Sequence, residues 1–373
     1  MSAASLSMPL VAGTLSLGAV IAGLASLPSV RELVAHYLGD GATRHVWKLA
    51  ALAFALANFK NLPGIWHLRV FRGILYQIYF QPTQQTPKHL FAPIITSSRN
   101  TPWDTDYNLH KSNSTYFADL DIGRAHAMGL IIRTGLSRLN KGDEEGLTED
   151  IRNMKGSYNV ALGAVSCFFQ RQIEPFQAFE VWTRVLSWDR KWLYLVSHVV
   201  KKGVIKPDSY VLQPWKKSKK TAADAKKDEE DLTKHIFATS VSRYVFNKKG
   251  RLTLNPEIIL ERSRLLPPRP EGVGLPPRAE TSVDTTPAES TATPAQNGNL
   301  TSPESLASGV TTKLDQYSSA QKPADDDNDD WTWDDMEKER LRGLRTAVHF
   351  DKLNACHSEL RAGDVLGEYG DYF

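Results

Sequence analysis

The residues whose types and spacing could carry out chemistry lie in the stretch TPWDTDYNLHKSNSTYFADLDIGR, residues 101–124. A carboxylate, Asp106, precedes His110 and Asn113, and a helical pattern begins directly afterwards. Ser112 or Asn113 is a suitable N-cap for that helix. The first N–H groups of a helix have no partner within it and lie at the positive end of its dipole. This order of residues predicts a site that binds an anion or polarises a carbonyl beside a carboxylate.

The elements that must position these residues are a strand, a turn, a long helix and further strands. Pro102 disfavours helix at Thr101, and residues 94–100 are typical of a short strand. The helix, which we expect to end near residue 132, carries an apolar stripe at intervals of three or four residues: Tyr116, Leu120, Gly123 and Ala127. Four strand-like runs follow it: 158–172, 177–187, 192–200 and 235–247.

Alternation in the second of these runs places one set of side chains on a common face: Phe179, Val181, Thr183 and Val185. One long helix followed by an antiparallel meander can bury the apolar stripe of the helix inside a curved sheet. We therefore expect an α+β domain in which the sheet wraps the central helix.

The motif also resembles a known family. Its spacing D-x-x-x-H-x-x-N-x-x-Y, with Asp106, His110, Asn113 and Tyr116, is similar to the D-x-x-G-H-V-N-N-x-x-Y signature of hotdog-fold acyl thioesterases of the 4-hydroxybenzoyl-CoA thioesterase type. The continuation D-x-D-x-x-R at residues 119–124 resembles the thioesterase superfamily member 6 branch and, more closely, fungal thioesterases of secondary-metabolite clusters of the leucinostatin type. The resemblance extends over about residues 94–254 and implies a hotdog fold.

The resemblance implies roles for the motif residues. Asp106 would be the general base or the nucleophile that attacks a thioester carbonyl. His110 would be a second base, a donor to the carbonyl or a residue that orients Asp106. Asn113 would donate from its side chain, position the water or cap the helix, while N–H groups at 113–115 bind the oxyanion. The residues expected to contact substrate are Ser112, Ser114, Thr115 and Tyr116.

Structural roles are the alternatives for the same residues. Asp104 and Asp106 are common types in turns, and a lone histidine such as His110 is more often a loop residue than a catalyst. Tyr116 fits a core position against the sheet. Two further carboxylates lie on the helix, where Asp119 faces either a dimer groove or water, and Asp121 and Arg124 have the spacing of a surface ion pair.

Two residues depart from the family signature. Leu109 replaces the glycine, and a leucine does not readily adopt the positive φ that glycine permits, so we expect a reshaped turn. Ser112 replaces the first asparagine and has a shorter reach. Activity would fall if the amide is needed at that position.

Composition excludes several classes of protein. A net charge of +3 over 373 residues, with no arginine-rich run, argues against nucleic-acid binding. Cys167 and Cys356 make neither a metal cluster nor a disulfide framework, which favours a reducing compartment. The sequence contains no G-x-S-x-G nucleophile elbow, dinucleotide-binding motif or P-loop. We therefore expect no metal and no cofactor.

The N-terminal region predicts contact with a membrane. Residues 8–27 carry no charge and are long enough to cross a bilayer once, and the cations that follow predict a cytoplasmic catalytic domain, for example on the endoplasmic reticulum. A disordered or cleaved leader is the alternative. The apolar run 46–59 is too short to span, which favours an interfacial or a buried helix. Residues 61–80 fit either the membrane surface or packing on the domain.

These patterns divide the chain into five segments: an anchor at 1–30, a membrane-proximal helical segment at 31–91, a hotdog domain at 92–262, a disordered linker at 263–330 and a short helix with a tail at 331–373. A charged insertion at 216–231 interrupts the domain. The linker is rich in Pro, Ser and Thr, followed by an acidic run. The terminal helix carries an apolar stripe from Leu341 onward and either docks on the domain or binds a partner.

Two functions remain at this point. The first is a membrane-anchored thioesterase, a homodimer or higher oligomer, that hydrolyses acyl-CoA or an acyl or polyketide chain on a carrier protein in fungal secondary-metabolite or lipid biosynthesis. The second is a non-catalytic hotdog protein that binds acyl groups or scaffolds partners at a membrane. Asp106, His110, Asn113 and Tyr116 together favour the enzyme, and the departures at Leu109 and Ser112 favour the second function.

Overall fold

The computed structural model describes residues 42–218, 232–249, 252–273 and 331–353, with a few positions within 27–36 and at 356–357. The predictions for residues 8–26 and 274–330 and for most of the 216–231 insertion lie outside the described residues. Within the part that is described, no helix combines the length and the apolar character needed to cross a bilayer.

A six-stranded antiparallel sheet forms the body of the domain. Its strands are β1 (Ile94–Arg99), β2 (Tyr158–Phe169), β3 (Ala178–Trp188), β4 (Trp192–Lys201), β5 (Ile236–Lys248) and β6 (Leu252–Leu254). Their order is β1-β3-β4-β5-β2, and β6 pairs with β5. The predicted strands are confirmed, but the simple meander is wrong, because β2 lies beside β5 at the opposite edge from β1. The tight 189–191 connection forces β3 and β4 together, whereas the longer 170–177 connection leaves β2 free to pair elsewhere.

The central helix spans Asn113–Asn140, eight residues beyond the predicted end. We number the helices α1 (Ala42–Ala57), α2 (Ile65–Leu75), α3 for this central helix, α4 (Glu149–Asn153), α5 (Pro256–Arg262) and α6 (Trp333–Lys352). The last turns of α3 pack on α5, where Ser263 Oγ donates to Ile131 O at 2.6 Å and accepts from Gly135 N at 3.1 Å. These distant contacts, which the local pattern does not reveal, stabilise the longer helix.

The inner face of the sheet packs directly on α3. The alternating side chains of β3 are buried as predicted: Phe179, Val181, Thr183 and Val185. Gly123 permits the close approach, since a Cβ there would lie 2.7 Å from Thr183 Oγ1 and 3.2 Å from Val181. The stripe of the helix is therefore enclosed by the sheet, which is the hotdog arrangement.

α6 packs on the outer face of the sheet. Leu341, Leu344 and Val348 pack with side chains of β3 and β4 that point away from α3. Ser187 Oγ donates to Arg340 O at 2.6 Å, and Arg340 donates back to Trp188 O at 2.9 Å. Of the two alternatives for the terminal helix, the structure shows docking on the domain.

The N-terminal helices differ in how they contact the domain. α2, extended by one wider turn at Tyr76–Phe80, packs on α3, where Gly73 faces His126 and Gln77 Nε2 lies 3.1 Å from His126 Nδ1. α1 is largely exposed, with a ring contact of 5.8 Å between Phe54 and Trp103. The buried-helix alternative for residues 46–59 is therefore wrong.

Candidate functional site

A tight turn positions Asp106. The N–H of Asp106 donates to His110 O at 2.8 Å, and Leu109 N donates to Asp106 O at 3.0 Å. Thr105 and Lys111 form an isolated antiparallel bridge that closes the turn. The carboxylate oxygen Oδ1 of Asp106 accepts from Asn108 N at 2.9 Å and from His110 N at 3.3 Å. Asp106 is half-buried. Oδ1 of Asp106 thus stabilises the turn, which is the structural role that the sequence analysis gave as the alternative. Because Oδ1 is held in place, the orientation of the other carboxylate oxygen, Oδ2, is also fixed.

Leu109 adopts the conformation that its side chain disfavours. Its φ is +61°, so the turn keeps the left-handed residue that a glycine would supply, and the expectation of a reshaped turn is wrong. The side chain is 47 % exposed, so it meets little steric resistance from neighbouring elements. A left-handed non-glycine residue costs roughly 1–2 kcal/mol, which the hydrogen bonds to Asp106 offset.

The N-terminus of α3 lies directly after this turn. Ser112 occupies the N-cap position with φ −61° and ψ 135°, and its N–H donates to Asp104 O at 2.7 Å. Its Oγ lies 3.0 Å from Ser114 Oγ and does not cap the backbone, while Thr115 Oγ1 donates to Ser112 O at 2.8 Å. Asn113 is the first helical residue and is exposed, so Ser112 is the cap and the side chain of Asn113 remains at the surface.

Tyr116 lies in the core. Its side chain is buried, its ring contacts that of Phe169 at 5.1 Å, and burial together with Cys167 raises the pKa of the phenol. These contacts favour the core role over a contact with substrate.

Exposed apolar side chains border the turn. They lie on the turn, the N-terminal part of α3, the end of β2 and the 170–177 connection, and we call them the apolar rim: Tyr107, Leu109, Phe117, Phe169 and Phe176. The connection is held against the turn because Lys111 N donates to Ile173 O at 2.9 Å. A polar turn bordered by apolar side chains suits a substrate with a polar reacting group and an apolar chain.

Comparison with known proteins agrees with this geometry. Residues 101–226 match the thioesterase-like superfamily. The chain is 36 % identical over 246 residues to the probable thioesterase atnL of Emericella nidulans, covering 63 % of this chain and 77 % of that protein. It is 32 % identical over 330 residues to thioesterase lcsJ of Purpureocillium lilacinum, covering 80 % of this chain and 88 % of that protein. The chain belongs to the thioesterase-like superfamily.

A third relative supports the same assignment. Thioesterase poxG of Penicillium oxalicum is 33 % identical over 229 residues, covering 60 % of this chain and 72 % of that protein. The family resemblance of the motif is thereby confirmed, and this thioesterase-like chain is a thioester hydrolase with fungal relatives.

Behind the turn of this thioesterase lies a buried group of charges, the charged cluster, made by Asp104, Asp119, Lys60, Lys111 and Arg69. Lys60 Nζ lies 2.6 Å from Asp104 Oδ2 and 2.9 Å from Asp119 Oδ2. Lys111 Nζ and Arg69 Nη2 lie 2.9 Å and 3.0 Å from the two oxygens of Asp119. Asp119 therefore faces neither a dimer groove nor water, and Asp104 is more than a turn residue.

The cluster fixes the ionisation of its carboxylates. Burial would raise the pKa of Asp119, but Lys111 and Lys60 oppose this effect, and the net pKa lies well below its ordinary value. The pKa of Asp104 is lowered for the same reason. Burial lowers the pKa of Lys111 against the attraction of Asp119. A carboxylate with such a low pKa is a poor proton acceptor, so Asp119 is unsuited to act as the base.

Arg124 also differs from expectation. It contacts Asp121 at 2.5 Å, but it is buried rather than at the helix surface. Sequence reasoning missed the cluster residues Lys60, Arg69 and Lys111 altogether. The available signal was the complete lack of acidic residues at 41–103, immediately before Asp104.

Two clefts of the described chain lie away from the turn. The larger, about 700 Å³, opens at the β1 edge between α2, α3 and residues 202–216, and the second lies between the end of α1 and β1. Neither is lined by Asp106, His110 or Asn113. In the single chain the site at Asp106 is therefore a half-buried surface site.

Proposed function

We propose that this thioesterase hydrolyses an acyl thioester of CoA or of a carrier protein, with Asp106 as general base or nucleophile. The observation that carries the proposal is the hydrogen-bonded turn, which holds the Asp106 carboxylate immediately before the N-terminus of α3. As base, Asp106 takes a proton from water, whose oxygen attacks the thioester carbonyl carbon. The C–S bond then breaks, and the products are a carboxylic acid and a thiol.

The N-terminus of α3 supplies the electrostatic contribution to catalysis. The N–H groups of Asn113 and Ser114 lie in the first helical turn, where the helix itself offers them no acceptor. They are suited to stabilise negative charge on the carbonyl oxygen. His110 Nδ1 is buried without a hydrogen-bond partner among the described residues, which makes His110 the second polar group for the reacting centre or its water.

The apolar rim supports an acyl chain as the substrate tail. In this proposal a second copy of the chain completes the cleft, because β2 offers a twelve-residue edge and places the exposed side chain of Phe169 at the rim. The proposed setting is fungal secondary-metabolite or lipid biosynthesis, supported by the fungal thioesterases to which the chain is similar.

The test is thiol release by the full chain across a length series of acyl-CoA substrates, with Asp106→Asn as the variant. An asparagine keeps an oxygen that can accept from Asn108 N and His110 N, so the turn persists while the charge is lost. We expect kcat to fall by about 10³-fold. Asp143→Asn, at the other end of α3, is the matched control and is expected to keep full activity.

Two results would contradict the proposal. Unchanged turnover in Asp106→Asn removes that residue from the mechanism. Saturable acyl-CoA binding by the wild-type chain, with no thiol released from CoA or carrier-protein thioesters, would instead favour the non-catalytic acyl-binding function.

A further inference from the structure

The segment before the turn has an unusual charge distribution. Between Asp40 and Asp104 the sequence has no Asp or Glu, while it carries seven Lys and Arg residues: Arg44, Lys48, Lys60, Arg69, Arg72, Lys88 and Arg99. Lys60 and Arg69 bind the buried carboxylates of the charged cluster. Lys48, Arg72 and Arg99 are exposed. The surface formed by this segment therefore has an excess of positive charge.

The exposed face of α2 is apolar. Its outward side chains follow helical spacing and form what we call the apolar stripe: Leu68 (63 % exposed), Phe71 (57 %), Leu75 (45 %) and, in the wider turn, Tyr79 (72 %). The opposite face, with Gly73 and Gln77, packs on α3. An ordinary surface helix has the reverse arrangement, with its polar face outward. The stripe therefore predicts an apolar environment outside the domain.

α1 also exposes apolar side chains. Six large apolar side chains of α1 and of the turn that follows it are more than half exposed: Trp47, Leu49, Leu52, Phe54, Leu56 and Phe59. So many exposed large apolar side chains are rare on soluble monomers and mark an interaction site. Sixteen residues of helix extend only about 24 Å, too short to span a bilayer.

We infer that α1 and α2 together bind the surface of an anionic lipid bilayer, lying in its interfacial plane with the apolar stripe directed into the lipid. The same helices carry Lys and Arg residues, and the sequence has no carboxylate between residues 41 and 103. These cations complement anionic headgroups, which favours an anionic bilayer over a neutral apolar partner. Trp47, Trp66 and Tyr79 have the amphipathic rings that favour the headgroup level.

This location has a consequence for the thioesterase site. Phe54 of α1 contacts Trp103, three residues before Asp106, and Asn58 Oδ1 accepts from Trp103 N at 2.7 Å. Binding of α1 to lipid therefore holds the turn close to the bilayer surface, where amphiphilic substrates partition.

The experiment measures partition of the full chain onto vesicles of phosphatidylcholine alone and of phosphatidylcholine with phosphatidylglycerol, by flotation across a lipid titration. The variant is Leu68→Glu/Phe71→Glu/Leu75→Glu, and Leu353→Glu, an exposed leucine after α6, is the matched control. We expect stronger binding to the anionic vesicles, a loss of about tenfold or more in the triple variant, and no loss in the control.

Arg72→Glu keeps the proposal falsifiable if the triple variant does not fold. It changes one exposed side chain and should weaken binding to anionic vesicles severalfold while leaving the weak binding to neutral vesicles unchanged. Equal partition of wild type and variants would overturn the proposal, since other parts of the chain would then carry all binding. It would also be overturned if the wild type fails to bind vesicles and the stripe variant converts an oligomer to monomers in light scattering, because a second copy would then cover the stripe.

Discussion

At the residue scale, the charged cluster shows how a buried cation is tolerated. The Lys111 side chain is fully buried, lies 2.9 Å from Asp119 Oδ2, and is within about 5.4 Å of the ring centroids of Tyr116 and Phe179. Ser98 Oγ donates to Asp119 Oδ1 at 2.9 Å, which completes the partners of that carboxylate. Buried ionic groups are stable only when each has such partners, so removing one destabilises all of them.

Asp119→Asn should therefore lower the free energy of unfolding by roughly 3–5 kcal/mol, since Lys60, Lys111 and Arg69 would lose their shared carboxylate. Urea denaturation measures the change. Glu339→Gln, which breaks the exposed pair with Arg342, is the control and should cost less than about 1 kcal/mol. Equal, small losses in both variants would show that the cluster contributes little.

The same cluster makes stability depend on acid pH. Because folding lowers the pKa of Asp104 and Asp119, the unfolded chain binds more protons than the folded chain at pH values just below about 4. The stabilisation is present above that pH and is lost as the pH falls towards the folded-state pKa values. Asp119→Asn should flatten this acid limb in denaturation curves collected from pH 7 to pH 2.

Leu109 offers a stabilising change. Leu109→Gly removes the strain of a leucine in the left-handed conformation, which is roughly 1–2 kcal/mol. Glycine also raises the conformational entropy of the unfolded chain, which lowers the free energy of unfolding by about 0.5–1 kcal/mol. We expect a net gain of about 0.5–1 kcal/mol by thermal denaturation. Asn108→Gly, which removes a side chain from the same turn without relieving a positive φ, should not stabilise. A loss of stability in Leu109→Gly would mean that the exposed leucine makes contacts that outweigh its strain.

At the scale of elements, α6 shows that a single glycine decides whether a helix can dock. A Cβ at Gly343 would overlap the carbonyl oxygen of Leu186 in β3, so only glycine allows this approach. The apolar residues of α6 predicted a buried face, but they did not identify its partner. The partner depends on the outward side chains of β3 and β4, which belong to a different part of the chain.

Gly343→Ala should destabilise the domain by about 1–3 kcal/mol despite the better helix propensity of alanine, because α6 must move off the sheet. Limited proteolysis should cut α6 faster in this variant, and denaturation gives the free energy. Thr346→Ala, at an exposed position on the same helix, should leave the proteolysis rate unchanged or slower. Equal protection in Gly343→Ala and wild type would argue against tight docking.

At the scale of the whole molecule, the long edge of β2 is the feature that points to self-association. In the described chain β2 pairs on one side only, with β5, and Leu162 and Phe168 are exposed along it. A long apolar edge strand invites pairing with another chain. A second copy would also bring further side chains to the apolar rim beside Asp106.

Leu162→Lys should convert the proposed dimer to a monomer, because a charge on the apolar edge opposes pairing. Size-exclusion chromatography with light scattering measures the mass, and acyl-CoA hydrolysis measures activity. We expect thiol release to fall together with the dimer, whereas Thr346→Lys on α6 should change neither. A wild-type chain that is monomeric yet fully active would remove the second copy from the proposed site.

The sequence by itself determined the parts that depend on neighbouring residues. The strands and the buried face of β3 follow from alternation of every second residue, and the central helix follows from apolar residues at intervals of three or four. The motif from Asp106 to Tyr116 identified the family. All of these signals are local. The strand order, the docking of α6 and the burial of Lys111 were decided by tertiary structure. Asp119 meets Lys60 and Arg69 across 59 and 50 residues of chain, and no local pattern specifies such a contact.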